Sequence, residues 1–399
     1  VREKREKKEW KPETTLLHTG DKPDLPVSYP DIIPIYQTAA FVLEDLASIA
    51  AAHASPAGGY FYSRAGNPNT DSLAAAIAAA EGGEAGAVCA SGMAAILTGA
   101  LAMVGAGDHI VAADDLYGGT YGLLKNDLAK LGIESSFVDL NDAAAVRAAV
   151  RPNTKLFITE VLTNPFVKVF DIGAIAATAH AAGAKLLVDN TFTTPYHIRT
   201  LDYGADIVIH SATKYIGGHN DVTAGAVVAA PELVKEVRRL ISSFGCTLGP
   251  FDAWLVLRGI KTMSLRVLRQ AANAQRVAEA LAAHPKVGKV YYPGLPDNPQ
   301  HALAVRLLRN GFGSMLSFTL PDDQAAVNRF MRALRLVKFV TTLGGVKTTL
   351  SHPATTSHVG LEDELKQKLG IHAGLIRLSV GIEDADDLID DLDGALAVV

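Results

Sequence analysis

Short apolar runs recur through the middle of this chain, separated by stretches of helical length. Gly86–Cys89, His109–Ala113, Ser135–Val138, Leu156–Glu160, Leu186–Val188, Ile207–Ile209 and Gly225–Val228 read as strands. Most of them are continuously hydrophobic rather than alternating, the pattern of strands covered on both faces. Gly122–Leu131 and Ile172–Ala182 read as helices between them. Strands alternating with helices predict an α/β class with a mainly parallel central sheet. A long helical stretch, Pro250–His284, then leads into a smaller α/β domain with strands near Met315–Thr319 and Leu375–Ser379. Ahead of the alternation lies an arm with Pro26, Pro30 and Pro34 and one helical stretch near Leu43–Ala52. Such an arm buries little by itself and is expected to clasp another subunit. The expected divisions are an arm at 1–59, a larger domain at 60–262 and a C-terminal domain at 263–399.

The composition fits a soluble enzyme more than any other class. The chain has 399 residues and is 49% hydrophobic, enough for a large core and more than one domain. A formal net charge of -5 suggests no polyanion, and so no nucleic-acid partner. No uninterrupted apolar stretch is long enough to cross a bilayer. The charge-dense opening Val1–Lys8 lacks the apolar centre of a signal peptide and is expected to be frayed and solvated. Cys89 and Cys246 are far apart in sequence and lack metal-ligand spacing. They read as packing thiols of a reducing, cytoplasmic setting, and no metal site is expected. The histidines are scattered; His219, in a glycine-rich loop, reads as structural.

The chemistry concentrates where one apolar run ends. Ile207–Ile209 gives way to His210, Ser211, Ala212, Thr213 and Lys214, then to Gly217 and Gly218. A lysine at the mouth of a buried strand is poorly solvated, which lowers its pKa and makes the amine nucleophilic. Ser211 and Thr213 are short donors suited to phosphate. A second run, Lys185–Val188, ends in Asp189, whose carboxylate can face the ligand crevice at the C-terminal end of an open sheet. There it would keep a pyridine nitrogen protonated, so that the ring acts as an electron sink. Cys89–Met93 joins a strand to a helix starting near Ala94, and its backbone N–H groups and dipole make an anion cup that Gly92 lets a phosphate approach. Alone, Asp189 reads equally as a turn residue, Lys214 as a solvated loop lysine and the Ser91-Gly92-Met93 junction as a tight turn. Together they compose a site for pyridoxal phosphate (PLP).

With those residues the chain resembles the PLP-dependent enzymes of cysteine and methionine metabolism, which share the fold of aspartate aminotransferase (fold type I of the PLP-dependent transferases). Asp206–Asn220 is similar to the family's lysine signature throughout, and the Asp189 strand, Tyr62–Pro68, Ala90–Ala95, Leu116–Thr120 and Gly374–Gly381 follow the family order. The resemblance implies a Schiff base of PLP with Lys214, with Asp189, Ser211, Thr213, Gly92 and Met93 around the cofactor. It implies Asn164 on the phenolic oxygen and Tyr117 stacked on the ring, where its phenol could move protons at a γ-leaving group. Arg377, in an apolar strand, would take the substrate carboxylate, with Thr342 and Tyr62 near it. Tyr62 and Arg64 are similar to a pair that reaches across the subunit interface to the phosphate, although on sequence alone Ser63–Gly66 reads equally as a surface turn.

These implications converge on a carbon–sulfur lyase, a methionine or cystathionine γ-lyase type that eliminates a thiol, ammonia and a 2-oxo acid from methionine, homocysteine or cystathionine. A homodimer would be the catalytic unit, paired into a tetramer. The alternative is γ-replacement, as in cystathionine γ-synthase or the acylhomoserine sulfhydrylases. The chain departs from the family's usual pattern at Val161–Leu162, Gly119, Thr341 and Lys347, so no subgroup is copied fully. Gly119 stands where some methionine γ-lyases have a cysteine, and Thr341 where many enzymes handling cystathionine have a glutamate. Lys347 stands where sulfhydrylases often have a basic residue. A non-catalytic PLP-binding regulator would be favoured by loss of Lys214, Asp189 or Tyr117, and all three are present. An aminotransferase on the same fold would show dependence on 2-oxoglutarate.

Overall fold

The apolar runs pair edge to edge into one sheet of seven strands, seen in a computed structural model that describes residues 10–19, 30–54 and 58–399. The solvated start expected at Val1–Lys8 and the arm's Pro26 lie outside those residues. The strands are β1 (Ala85–Cys89), β2 (His109–Ala113), β3 (Glu134–Val138), β4 (Thr154–Glu160), β5 (Lys185–Asp189), β6 (Ile207–His210) and β7 (Gly225–Ala229), in the order β1-β7-β6-β5-β4-β2-β3. From β3 through β6 the pairing is parallel, while β7 runs antiparallel to β6 and β1. Ile207, Val208 and Ile209 are fully buried because helices cover both faces. The helix Gly92–Leu101 lies close on one face: a Cβ on Gly99 would sit 3.2 Å from Leu187 Cδ1 and 3.5 Å from Ile209 Cγ2. The helix Pro68–Glu81 packs near β1 and β7; Asn67 caps its start through Asn69 N–H at 2.9 Å, and Gly82 ends it at φ +73°.

A second sheet of five strands follows: β8 (Val290–Tyr291), β9 (Met315–Thr319), β10 (Lys338–Phe339), β11 (Thr349–Ser351) and β12 (Leu375–Ser379), ordered β10-β11-β12-β9-β8. It has its own apolar cluster, in which Leu316, Phe318 and Leu378 meet Val277, Phe330, Leu388 and Leu392. β9 and β12 carry the apolar patterns visible in the sequence. β8, β10 and β11, of two or three residues each, are too short to show any periodicity.

Three helices differ from expectation for identifiable reasons. Gly122–Leu131 is not one α-helix: a short turn at Gly118–Gly122 widens into a π-helical Leu123–Leu128, which sets Leu124 and Leu128 in the core and leaves Leu131 53% exposed. Pro250–His284 is broken into Pro250–Ile260 and Met263–Ala283. A continuous helix would bond the Gly259 carbonyl to the N–H of residue 263. Here that carbonyl instead accepts from Thr262 N–H at 3.3 Å and from Arg266 Nη2 at 2.8 Å, and Arg266 Nε donates to Thr262 Oγ1 at 3.2 Å. The arm helix is Leu46–Ala54, later than the pattern suggested, because Asp45 and Ser48 cap it reciprocally at 2.8 and 2.9 Å. A further short helix, Pro12–His18, gave no sequence signal. Among the described residues no helix is long and apolar enough to cross a membrane, and no cluster of ligands could hold a metal ion.

Candidate active site

The C-terminal ends of β4, β5 and β6 lie side by side, and the loop that leaves β6 meets the start of the helix Gly92–Leu101. Ser91 caps that helix, accepting from Ala94 N–H at 3.2 Å. Its first turn leaves the N–H groups of Gly92 and Met93 without intrahelical acceptors. A Cβ on Gly92 would fall 2.6 Å from Ser211 Cβ and 2.9 Å from Ser211 Oγ, so the helix start and the lysine loop touch through this glycine. The result is a concave set of N–H groups and a hydroxyl of the kind that binds phosphate.

The same loop is tied to Asp189 through one residue. Ser211 N–H donates to Thr191 Oγ1 at 2.8 Å, and Thr191 N–H donates to Asp189 Oδ1 at 2.9 Å. Burial pushes the Asp189 carboxyl above its usual range, against the hydrogen bonds from Thr191 and the charge of His210. Lys214 is half-buried, and burial, reinforced by the Arg377 charge, holds its amine below the ordinary lysine value. The loop backbone around it is firmly held. Arg266 Nη1 donates to Tyr215 O at 2.8 Å, Tyr215 Oη bonds Ser314 Oγ at 2.7 Å, and Gly218 N–H donates to Lys214 O at 2.7 Å. Gly344, at φ +75°, comes so close that a Cβ there would lie 2.7 Å from Tyr215 N. Thr342 belongs to the loop that Gly344 anchors, since Gly344 N–H also donates to Ser379 Oγ at 2.9 Å. The Thr213 hydroxyl is engaged with Ala224, donating to its carbonyl at 3.2 Å and accepting from its N–H at 2.9 Å.

Beside Asp189, in register on β4, stands Glu160. Paired residues share a face, so two carboxylates lie together. Burial first, and the Asp189 charge second, push the Glu160 carboxyl well above its usual range. Its Oε1 accepts the N–H of Tyr117 at 2.7 Å, which fixes the start of the Tyr117–Thr120 turn. The Tyr117 ring is 39% exposed and packs against Gly119: a Cβ there would lie 2.5 Å from Tyr117 Cε1 and 3.1 Å from Met93 Sδ. Met93, Gly119 and Tyr117 therefore form one small wall.

Arg377 is buried in β12. Its Nη1 donates to Asn164 Oδ1 at 2.8 Å, and among the described residues no carboxylate lies within ion-pair distance of it. Burial lowers its pKa to about 10. The Asn164 backbone carbonyl accepts from His358 Nε2 at 3.0 Å, and burial holds His358 neutral with a pKa of about 4. Tyr62 and Arg64 lie apart from all of these. Tyr62 bridges to Ala40 in the arm and is 43% exposed; Arg64 Nη1 bonds Ser242 O and Oγ at 3.0 and 3.1 Å and sits 5.6 Å from the Tyr62 ring centre. Cys89 is buried, and burial pushes its thiol up to about 12, so it offers no thiolate.

Three residues of this constellation escaped the sequence reading. Glu160 closes an apolar run just as Asp189 does, and that shared pattern could have found it. Arg266 sits on an amphipathic helix, where an arginine reads as solvated, and carried no signal. His358 looked like one more scattered histidine.

The donor set fits PLP. A cup of backbone N–H groups, a lysine with a lowered pKa, a buried carboxylate at a strand end and, among the described residues, a buried guanidinium with no carboxylate within ion-pair distance lie close together.

Comparison with known proteins agrees. The family profile described as Cys/Met metabolism PLP-dependent enzyme matches residues 13–397. The chain is 44% identical to the cystathionine gamma-lyase of Bacillus subtilis (strain 168), over 97% of this chain and 99% of that one. It is 40% identical to the L-methionine gamma-lyase of Fusobacterium nucleatum subsp. polymorphum, over 96% of this chain and 97% of that one. Among solved structures, the cystathionine gamma-lyase from Lactobacillus plantarum complexed with L-serine matches with a TM-score of 0.91 and 39% identity, over 98% of this chain and 99% of that one.

Proposed function

The chain belongs to the Cys/Met metabolism PLP-dependent enzymes, whose cofactor is pyridoxal 5'-phosphate, and on that premise we propose that this carbon–sulfur lyase carries out α,γ-elimination on a sulfur amino acid. Methionine or cystathionine would yield a thiol, and homocysteine hydrogen sulfide, each with ammonia and a 2-oxo acid. The observation that carries the reading is Arg377: a buried guanidinium, oriented by Asn164, with no carboxylate within ion-pair distance among the described residues, placed where its charge is felt by the lowered Lys214 amine. That is a receptor for an amino-acid carboxylate next to a Schiff-base lysine.

When bound, PLP supplies an electron sink for negative charge developed at the carbons of the attached amino acid. The residues supply the rest. Gly92, Met93 and Ser211 cradle the phosphate, with Thr213 supporting the loop through Ala224. Asp189 holds a proton on the pyridine nitrogen, and Glu160 fixes the Tyr117 turn. Lys214 holds the cofactor and then takes the proton from the substrate Cα, for which its lowered pKa suits it. Tyr117 delivers a proton to the departing sulfur. Arg377, with Thr342 nearby, orients the substrate carboxylate bidentately. Tyr62 and Arg64, set apart from their own chain's site, would complete a neighbour's, so the catalytic unit is a homodimer, paired into a tetramer in a cytoplasmic setting. The two separate sheets support a division into a cofactor domain at 60–262 and a smaller domain at 263–399 behind an arm at 1–59.

The test is product analysis on methionine, homocysteine and cystathionine, with borohydride fixation of PLP at Lys214. Release of thiol and 2-oxo acid, abolished in Lys214→Ala, is expected; a colourless protein with unchanged activity after that substitution refutes the proposal. A second reading, γ-replacement, draws on Lys347, exposed beyond the Gly344 loop. It requires that an added thiol be captured from an O-acylhomoserine faster than 2-oxo acid is released.

A further inference from the structure

One buried carboxylate has no part in this scheme. Glu81 closes the helix Pro68–Glu81 and is 0% exposed. Its Oε1 accepts from His210 Nε2 at 2.5 Å and from Asn190 Nδ2 at 2.8 Å. His210 ends β6 and immediately precedes Ser211; Asn190 immediately follows Asp189. Side chains alternate along strands. Asp189 and its partner Ile209 therefore face the helix Gly92–Leu101, while Asn190 and His210 face the opposite side, where Glu81 waits.

The position of this contact matters. The β5–β6 ladder ends at the pair Asp189 and Ile209. Just past it the main chains are still joined by Asn190 N–H to Ile209 O at 3.0 Å and by Ser211 N–H to Thr191 Oγ1 at 2.8 Å, and on the opposite face one carboxylate grips both side chains, Asn190 next to Asp189 and His210 next to Ser211. Asn190 is itself held on its other side: its Nδ2 also donates to Ile198 O at 2.9 Å, and Thr193 Oγ1 donates to its Oδ1. His210 is the only ionisable base within ion-pair distance of Glu81 among the described residues. Glu81 Oε2 and His210 Nδ1 are buried with no hydrogen-bond partner. Unsatisfied buried atoms are a cost that an apolar pair of similar volume would not carry. Stability alone therefore does not account for a carboxylate here; geometry does.

We propose that Glu81 is a positioning residue for the cofactor site: by bracketing His210 and Asn190 it sets the spacing between Asp189 and the Ser211–Lys214 loop. This rests on the reading that Asp189 and Lys214 hold PLP. The test compares the full-length PLP-loaded protein with Glu81→Leu and Glu81→Gln, reading the PLP dissociation constant by absorbance titration, the kcat and KM for the substrate of the unsubstituted chain, and thermal melting. Glu81→Leu removes both bonds, and is expected to melt cooperatively while weakening PLP binding about tenfold or more. It should lower kcat about tenfold with KM changed less than about threefold. Glu81→Gln, which keeps an oxygen acceptor, should recover most of the PLP affinity. If Glu81→Leu does not fold, Glu81→Asp, a methylene too short to reach both partners, is read the same way. Lower melting with PLP affinity and kcat unchanged would make Glu81 merely structural and overturn the inference alone. An unsubstituted chain in which borohydride fixes no PLP at Lys214 would overturn the cofactor reading and this inference with it.

Discussion

Adding one methyl group at Gly92 tests whether the helix start and the lysine loop form a single phosphate cup. An alanine Cβ there would lie 2.6 Å from Ser211 Cβ, 2.9 Å from Ser211 Cα and 2.9 Å from Ser211 Oγ. Ordinary carbon contacts lie at roughly 3.5–4.0 Å, so the loop must retreat by about 1 Å. Two of the three clashing atoms, Cα and Cβ, cannot be relieved by a rotamer change. Overpacking of this kind costs about 1–3 kcal/mol. If the retreat takes Ser211 out of the cup, PLP affinity falls about 5- to 150-fold, at about 1.4 kcal/mol per factor of ten. The assay is absorbance titration of cofactor-free protein with PLP, beside thermal melting. Gly122→Ala is the control: it is helical at φ -61°, and a Cβ there meets nothing within 4 Å. It should leave PLP affinity unchanged. A Gly92→Ala chain that binds PLP as tightly as the control would refute the argument, even if it melted lower, because the contact would then support the fold and not the cup.

Asp189→Asn should retain PLP yet lose turnover by roughly 10²-fold or more, since an amide cannot hold the pyridine nitrogen protonated; near-normal turnover would show that Asp189 is misassigned. Gly119→Ala should push the Tyr117 ring away from Met93, lowering kcat about tenfold or more with unchanged PLP affinity. Burial holds His197 and His358 at pKa values of about 4, against 6.5 for the free side chain. The unfolded chain therefore binds protons more readily, so each contributes stability in full above pH 6.5, about 3 kcal/mol, that is lost as pH falls toward 4. The melting temperature should drop through that window, and His358→Gln or His197→Gln should flatten the drop. Mixing inactive Lys214→Ala with inactive Arg64→Ala chains should restore activity, because one site of the mixed dimer has its own Lys214 and the neighbour's Arg64; confirmed subunit exchange without activity would mean that the site is not shared.

Most strands of the larger sheet were legible because they are buried on both faces and so keep an apolar run; the edge strand β3, Glu134–Val138, is half-exposed and carries two serines. Asp189 and Lys214 were legible because each ends such a run, where a charged residue is conspicuous. What the sequence hid is long-range. At the break at Lys261–Thr262 the Gly259 carbonyl turns to Thr262 N–H at 3.3 Å and to Arg266 Nη2 at 2.8 Å, and no local periodicity records a side-chain donor seven positions on. β8, β10 and β11 exist only through their pairing with longer neighbours. The role of Glu160 depends on its register with Asp189, a contact across 29 positions that a one-dimensional pattern cannot carry.

The same division bears on chemistry. The groups proposed to hold PLP sit in places where backbone geometry leaves little freedom: Gly92 against Ser211, Gly344 against Tyr215, Arg266 on the loop carbonyls, Glu160 beside Asp189. Changing any of them disturbs packed atoms, so this half of the site tolerates little variation whatever the substrate. Two of the residues that differ from the usual family pattern are of another kind: Thr341 and Lys347 are exposed, unlike the buried Val161 and Leu162. Substitutions there meet mainly solvent and cost little stability. Selectivity between elimination and thiol capture is then free to change without rebuilding the cofactor half. A Thr341→Glu or Lys347→Glu chain should thus keep its melting temperature and PLP affinity while shifting kcat/KM among methionine, homocysteine and cystathionine. A shift in PLP affinity instead would mean that the two halves are coupled through the Gly344 loop.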